Sequence, residues 1–254
     1  MASASLPAVW VDGYAFGVRI LRGGEEPWRA PDELGFFLRD LAQLLSLDLV
    51  EIPIGPAIRA WAEGQGIALT SLGGNGMERL LADPGFRTHL KRGLETAQGS
   101  LGGRQLGLAL PGPGALAPLY LETNEIDEDV LDDLALSIAD LLRALFRPGL
   151  SVFRFDESDP RAVKFYDPLL NVARHYEAAA VITLLGAAQD VPVDATGFDR
   201  IFGKDGQGQI LPATFWEGAD FSASSDIGLF MELPVTAEPE TILAKLGQLR
   251  GRTA

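Results

Sequence analysis

Eight short apolar runs, most of them separated by helix-length amphipathic stretches, predict one α/β domain over residues 1–254, an eight-stranded parallel barrel of the TIM type. The runs are 8–12, 47–54, 67–72, 106–110, 150–156, 179–185, 210–216 and 227–233. Two further observations favour a closed barrel. An open doubly wound sheet normally has fewer strands and a recognisable binding loop after its first strand. No linker, composition shift or low-complexity tract divides the chain, and its 47% apolar residues suffice for one continuous core.

The first run, Ala8-Val9-Trp10-Val11-Asp12, is closed by Gly13, and 16–21 reads as a second strand or its continuation. Gly23, Gly24, Pro27 and Pro31 mark a loop that carries Arg22 and Arg29. Between 31 and 46, Leu34, Phe37, Leu38, Leu41, Leu44 and Leu45 recur at helical spacing. Asp32 and Glu33 precede them, where the helix dipole favours acids. Strand 47–54 contains Glu51, and a short helix at 56–63 is broken by Gly66. Strand 67–72 ends in Gly73-Gly74-Asn75-Gly76, which lacks both the Lys-Ser/Thr of a P-loop and the spacing of a dinucleotide fingerprint. A tight turn is the expectation there, with phosphate binding the lesser alternative.

Residues 77–98 read as helical, with Asp83-Pro84-Gly85 a candidate break and His89 on a face shared with Arg87, Lys91 and Arg92. Strand 106–110 runs into a Pro111-Gly112-Pro113-Gly114 elbow. Helix 127–147 follows, with Leu131, Leu134, Ile138, Leu141, Leu142 and Leu145 in one stripe. Strand 150–156 ends in Phe155-Asp156-Glu157, and helix 160–177 has His175 near its C-terminal end. The tract 187–209 is polar, with at most a short helix at 198–202. Strand 210–216 ends in Trp216-Glu217-Gly218, strand 227–233 carries Glu232, and helix 239–250 closes the chain.

A formal charge of −14 opposes nucleic-acid phosphate and anionic lipid, leaving a small molecule as the expected partner. Without cysteine there is no disulfide, thiol nucleophile or thiolate metal ligand, and no metal or other cofactor is expected. Residues 1–7 lack the basic region and apolar core of a signal peptide, and no run approaches a membrane span. A cytoplasmic location without membrane association follows as an expectation.

Side chains alternate along a strand, so Val152, Arg154 and Asp156 share one face of 150–156 while Phe153, Phe155 and Glu157 share the other. With helices outside, the aromatics face outward and Arg154 and Asp156 point into the barrel. An inward arginine needs partners, and Glu51 and Glu232 are available. Those three residues read either as a structural ion-pair network or as part of a site. Asp156, at the C-terminal rim, is the candidate acid/base, with Glu157 a second acid/base or a loop charge and Arg154 tuning Asp156 or holding substrate. Trp216 and Glu217 offer an apolar wall and a polar handle for a ligand. Asp12, Asn75 and Gly112 complete the candidate substrate-binding rim with Glu232. A Ser-His-Asp triad is disfavoured, because no serine sits in a nucleophile elbow and both histidines fall on helices.

Leu108-Ala109-Leu110-Pro111-Gly112-Pro113, the long helix after it, and Val152-Phe153-Arg154-Phe155-Asp156-Glu157 resemble the superfamily of uroporphyrinogen decarboxylase and cobalamin-independent methionine synthase. Gly112-Pro113 matches its mid-barrel Gly-Pro turn, and Phe155-Asp156-Glu157 its apolar-Asp-Glu-Pro motif, with Ser158 in place of the proline. The zinc-dependent branch uses His and Cys ligands, but this chain has no Cys and neither histidine lies just beyond a strand. The resemblance therefore implies the metal-free, decarboxylase-like branch: a lyase acting on a small organic acid or aromatic compound. The alternatives are a non-catalytic barrel that binds a metabolite or partner, and a zinc site built on His175 with carboxylates. Arg19, Arg22 and Arg29 lie roughly where that branch carries its arginines, but their surroundings do not match its motif.

Overall fold

A computed structural model describes residues 6–122, 125–186, 188, 191, 194, 196–203, 208–219, 221 and 228–253. The elements are β1 (Val9–Asp12), α1 (Tyr14–Arg22), α2 (Leu34–Leu44), β2 (Leu49–Pro53), α3 (Ile54–Gly64), α4 (Gly76–Ala82), α5 (Pro84–Ser100), β3 (Gln105–Pro111) and α6 (Pro113–Leu116). They continue with α7 (Glu128–Leu145), β4 (Leu150–Glu157), α8 (Asp167–His175), β5 (Ala179–Leu184), β6 (Arg200–Phe202), β7 (Gly208–Ile210), β8 (Gly228–Glu232) and α9 (Pro239–Thr253). The eight strands form one parallel sheet in the order β1-β8-β7-β6-β5-β4-β3-β2, curled into a nearly closed barrel. No described helix is long and apolar enough to cross a membrane.

The strand count agrees with the sequence, but two strands are not where it put them. Residues 67–72 form no strand: Leu69–Ser71 is a 3₁₀ turn on the surface, and Leu69 and Leu72 pack against the core from outside. β2 and β3 pair directly, from Leu49 with Gln105 to Pro53 with Ala109, so the place such a strand would occupy is filled. The missing strand is β6, in the tract expected to hold a short helix at 198–202. Asp199 is drawn to the edge of β5, its N–H donating to the Ala180 carbonyl and its Oδ2 accepting from the Ala180 N–H, both at 2.8 Å. The strand expected at 210–216 is displaced to Gly208–Ile210, because Pro212 has no N–H to continue a ladder and instead opens a 3₁₀ turn at Ala213–Phe215.

Two helical details also differ. The run at 16–21 belongs to α1, whose buried Tyr14, Phe16 and Gly17 are joined by half-buried Val18 and Ile20, so its apolar pattern covers more than one face. The helix expected at 160–177 is two pieces, a 3₁₀ segment Pro160–Phe165 and then α8. The break at Pro84 is present, and Asp83 caps α5 by accepting from the Phe86 N–H at 2.7 Å.

The core has two compartments. A large shell lies between the outward strand faces and the helices, and it includes Phe153 and Phe155. A smaller cluster of Trp10, Leu49, Val152, Ala179, Val181, Phe202 and Phe230 fills the barrel interior. Two residues further along five of these strands, the inward face carries Asp12, Glu51, Arg154, Thr183 and Glu232. The period-two alternation thus sets a polar layer directly above an apolar plug.

Among the described residues no backbone ladder joins β1 to β2. Side chains close that seam: Trp10 Nε1 donates to Glu51 Oε2 at 2.9 Å, and Arg154 reaches both Glu51 and Asp12. Trp10→Phe keeps most of the packing and removes one of the two donors to Glu51 Oε2, a hydrogen bond to a charged group, so it should cost about 1–3 kcal/mol in urea-monitored unfolding. An unchanged midpoint would show that the seam closes without this bond.

Candidate functional site

At the C-terminal ends of the strands a cavity of about 310 Å³ opens into the barrel, its wall including Asp12, Tyr14, Arg59, Arg154, Asp156 and Glu232. This is where parallel barrels place their chemistry. A larger recess of about 550 Å³ lies on the outer surface by Trp61, Glu63 and His89, away from the strand ends. It gathers no comparable cluster of buried charge.

Arg154 stands at the centre of the mouth with none of its surface exposed. Its Nε donates to Glu51 Oε1 at 2.8 Å and Oε2 at 3.0 Å, its Nη2 to Asp12 Oδ2 at 3.0 Å, and its Nη1 to Asp156 Oδ1 and to Thr183 Oγ1 at 3.5 Å. The guanidinium also lies over the Phe230 ring, 4.8 Å from its centroid. Strands β1, β2 and β4 therefore each bring a carboxylate to one cation. Burial opposes that charge, but Asp156, Glu51 and Asp12 outweigh it and hold the guanidinium firmly protonated.

The carboxylates outnumber the cation. Burial pushes Asp156 up to about 7; Arg154 opposes the rise, while Asp12, Glu51 and Glu232 add to it. Glu51 is also raised, first by burial and then by Asp12, against the pull of Arg154 and the Trp10 hydrogen bond. Glu232 is raised by burial and by Asp12. Asp156 keeps about a quarter of its side chain open, 26%, so it faces the cavity while sharing the Arg154 charge. A carboxyl group in this position exchanges its proton near neutral pH, the property general acid–base chemistry needs.

Glu157 occupies the opposite strand face and does different work. Its Oε1 accepts from the Asp159 N–H at 2.8 Å, and its Oε2 accepts from the Tyr166 hydroxyl at 2.9 Å and the Gly114 N–H at 3.2 Å. Burial pushes it up to about 7, against those hydrogen bonds. The side chain pins the elbow after β3 to the loop after β4. A Cβ on Gly112 would overlap the Tyr166 hydroxyl and sit 2.5 Å from Glu157 Oε2, and one on Gly114 would overlap Glu157 Oε1. Both glycines are thus needed for this close approach, and Gly112 is not among the residues that line the cavity.

Of the residues the sequence singled out, the structure brings Asp12, Arg154, Asp156 and Glu232 together at the mouth, with Glu51 just beneath. Trp216 packs half-buried beside Phe215, Glu217 is exposed after it, and Asn75 is exposed before α4; none of the three lines the cavity. His89 lies on α5 and His175 at the end of α8, both outside the mouth. Two lining residues escaped the sequence reading. Tyr14 directly follows β1, and its hydroxyl donates to Glu26. Arg59 projects from α3, the helix that leaves β2. Position just past a strand end was the signal available for both. Among the described residues, no group of three or more His, Asp or Glu side chains is placed to hold a metal ion. No family model, curated protein or solved structure matches the chain.

Removing Arg154 strands three carboxylates, so Arg154→Met should cost about 3 kcal/mol in chemical unfolding at pH 8 and less at pH 5, where protons replace the lost cation. A loss independent of pH would show that the carboxylates do not depend on the guanidinium in this way. In the wild type, Asp156 and Glu157 bind protons more tightly folded than unfolded. Their contribution is full below the ordinary carboxylate range and is lost as pH rises through about 7. The melting temperature should therefore fall between pH 5 and pH 8, and less so in Asp156→Asn. Gly114→Ala should cost about 2 kcal/mol by the overlap with Glu157, measurable by urea titration.

Proposed function

We propose that the chain is a barrel lyase, decarboxylase-like in its chemistry, that acts on a small organic acid or aromatic compound at the barrel mouth, with Asp156 as the proton donor. The observation that carries this reading is the surplus of carboxylates around Arg154, which keeps a proton on a cavity-facing acid near neutral pH. In such a reaction the bond from the substrate carbon to its carboxylate breaks and CO₂ leaves. The electron pair stays on that carbon, the Asp156 carboxyl supplies the proton, and solvent returns one to Asp156. Arg154 has its donors committed to Glu51, Asp12 and Asp156, so its part is to position and tune Asp156 rather than to grip substrate.

Other features support the same reading. The cavity of about 310 Å³ has the volume of roughly ten water molecules, which suits a compact substrate and not a tetrapyrrole. The Gly112-Pro113 elbow and the Phe155-Asp156-Glu157 strand end, which resemble the decarboxylase superfamily, adjoin each other through Glu157. A net charge of −14 fits a small-molecule partner in the cytoplasm better than a polyanion.

The test is a screen of small aliphatic and aromatic carboxylic acids for CO₂ release, with Asp156→Asn as the control and the Asp156 carboxyl followed by ¹³C NMR titration. Asp156→Asn should lower turnover at least a hundredfold with the fold intact by circular dichroism, and Asp156 should titrate near 7. Unchanged turnover in the variant, or an Asp156 titration in the ordinary carboxylate range, would remove it from this role.

A further inference from the structure

We infer that the ligand of the mouth is bipolar, with a carboxylate or similar anion held by Arg59 at the lip and an ammonium-like cation held by Asp12 and Glu232 on the floor, beside the proton-bearing Asp156. This rests on the reading above for the identity of the site and adds the class of molecule it takes.

Arg59 is the starting point. Arg22, Arg29, Arg87, Arg92 and Arg147 each pair with a carboxylate from another part of the chain. Arg59 borders a cavity lined with carboxylates and makes no ion pair with any described residue. Its charge is felt at the Tyr14 hydroxyl, which is already committed to Glu26. The guanidinium lies over Gly55, where a Cβ would come 4.0 Å from its Nη2 and 3.9 Å from Pro111. These are ordinary van der Waals distances, so the backbone at Gly55 leaves the space beside Arg59 open. A cation at the edge of a cavity with no ion pair to any described residue is a ready anchor for an anion.

The floor has the opposite need. Arg154 spends its donors on Glu51, Asp12 and Asp156, and none of them reaches Glu232. The Glu232 side chain has no hydrogen bond or ion pair with any described residue, and lies beside Asp12 in the β1–β8 register. The floor beside Asp12 and Glu232 is therefore short of positive charge, and a ligand cation would supply it there while Asp156 keeps its proton. Arg59 and these acids share one cavity but stand beyond ion-pair distance of one another, so a single molecule must span the gap to satisfy both. Each end alone makes a partly exposed ion pair of little strength. Joined in one molecule of the right length, the two ends reinforce each other.

The experiment is calorimetric titration at pH 8 with glycine, β-alanine, 4-aminobutyrate and 6-aminohexanoate, against butyrate and butylamine. It uses the full chain as wild type, Arg59→Gln and Glu232→Gln. At least one amino acid should bind ten times more tightly than either monofunctional probe. Arg59→Gln should reduce that affinity about tenfold and leave butylamine binding unchanged, whereas Glu232→Gln should weaken butylamine. Both side chains are exposed, and matching melting temperatures confirm that the variants fold. If no amino acid outbinds butyrate and butylamine, or if the best one ignores Arg59→Gln, the inference is overturned. Should that happen while Asp156 still titrates near 7, the ligand class falls and the acid–base reading stands. Arg59-dependent binding with an ordinary Asp156 titration upholds the ligand class and removes the acid–base reading.

Discussion

The barrel depends on one buried guanidinium. Arg154 projects inward from the middle of β4 and receives carboxylates from β1, β2 and its own strand, so its neutralisation requires those strands to be in place. An isolated buried arginine would cost several kcal/mol or more, and the same holds for the carboxylates without it. This mutual requirement acts where the backbone ladder does not, across the seam between β1 and β2. The Trp10 indole adds a hydrogen bond there and extends the closure down into the apolar plug.

Above the plug, the charge balance turns structure toward chemistry. Were the three carboxylates matched one for one with cations, each would titrate low and the site would be inert near neutral pH. One cation among them leaves the balance to protons, and Asp156, which touches Arg154, keeps an open side and is pushed up to about 7, becomes the place where a proton is held and released. Arg59 at the lip, with no ion pair to any described residue, carries the complementary charge, so the mouth is polarised from rim to floor.

Behind the mouth, Glu157 shows how neighbouring residues on one strand divide labour. Asp156 faces the cavity, while Glu157 faces the helices and fixes the elbow and the Tyr166 hydroxyl. The two glycines that admit it leave no space for a methyl group. The wall of the cavity at Pro111 and Ala115 is therefore held by a buried carboxylate that is itself outside the cavity.

Alternation along 150–156 was enough to place Arg154 and Asp156 inward and the phenylalanines outward, because a strand leaves a side chain only two directions. The need to neutralise an inward arginine pointed to Glu51, which bonds it, and to Glu232, which acts on the cluster through its charge alone. Local sequence also determined the break at Pro84, which follows from the chemistry of proline, whereas its count of eight strands matches only because 67–72, which forms no strand, is offset by β6, which it missed. It did not determine which apolar runs join the sheet: 67–72 has the composition of a strand, but β2 and β3 pair directly where it would lie, and 200–202 lacks the composition but is captured by β5. Nor did it place Trp216, Glu217 and Asn75 away from the mouth, or Tyr14 and Arg59 in it. Those outcomes depend on which segments reach the C-terminal rim once the barrel has closed, and that is a property of packing between elements distant in the chain, which only the tertiary structure decides.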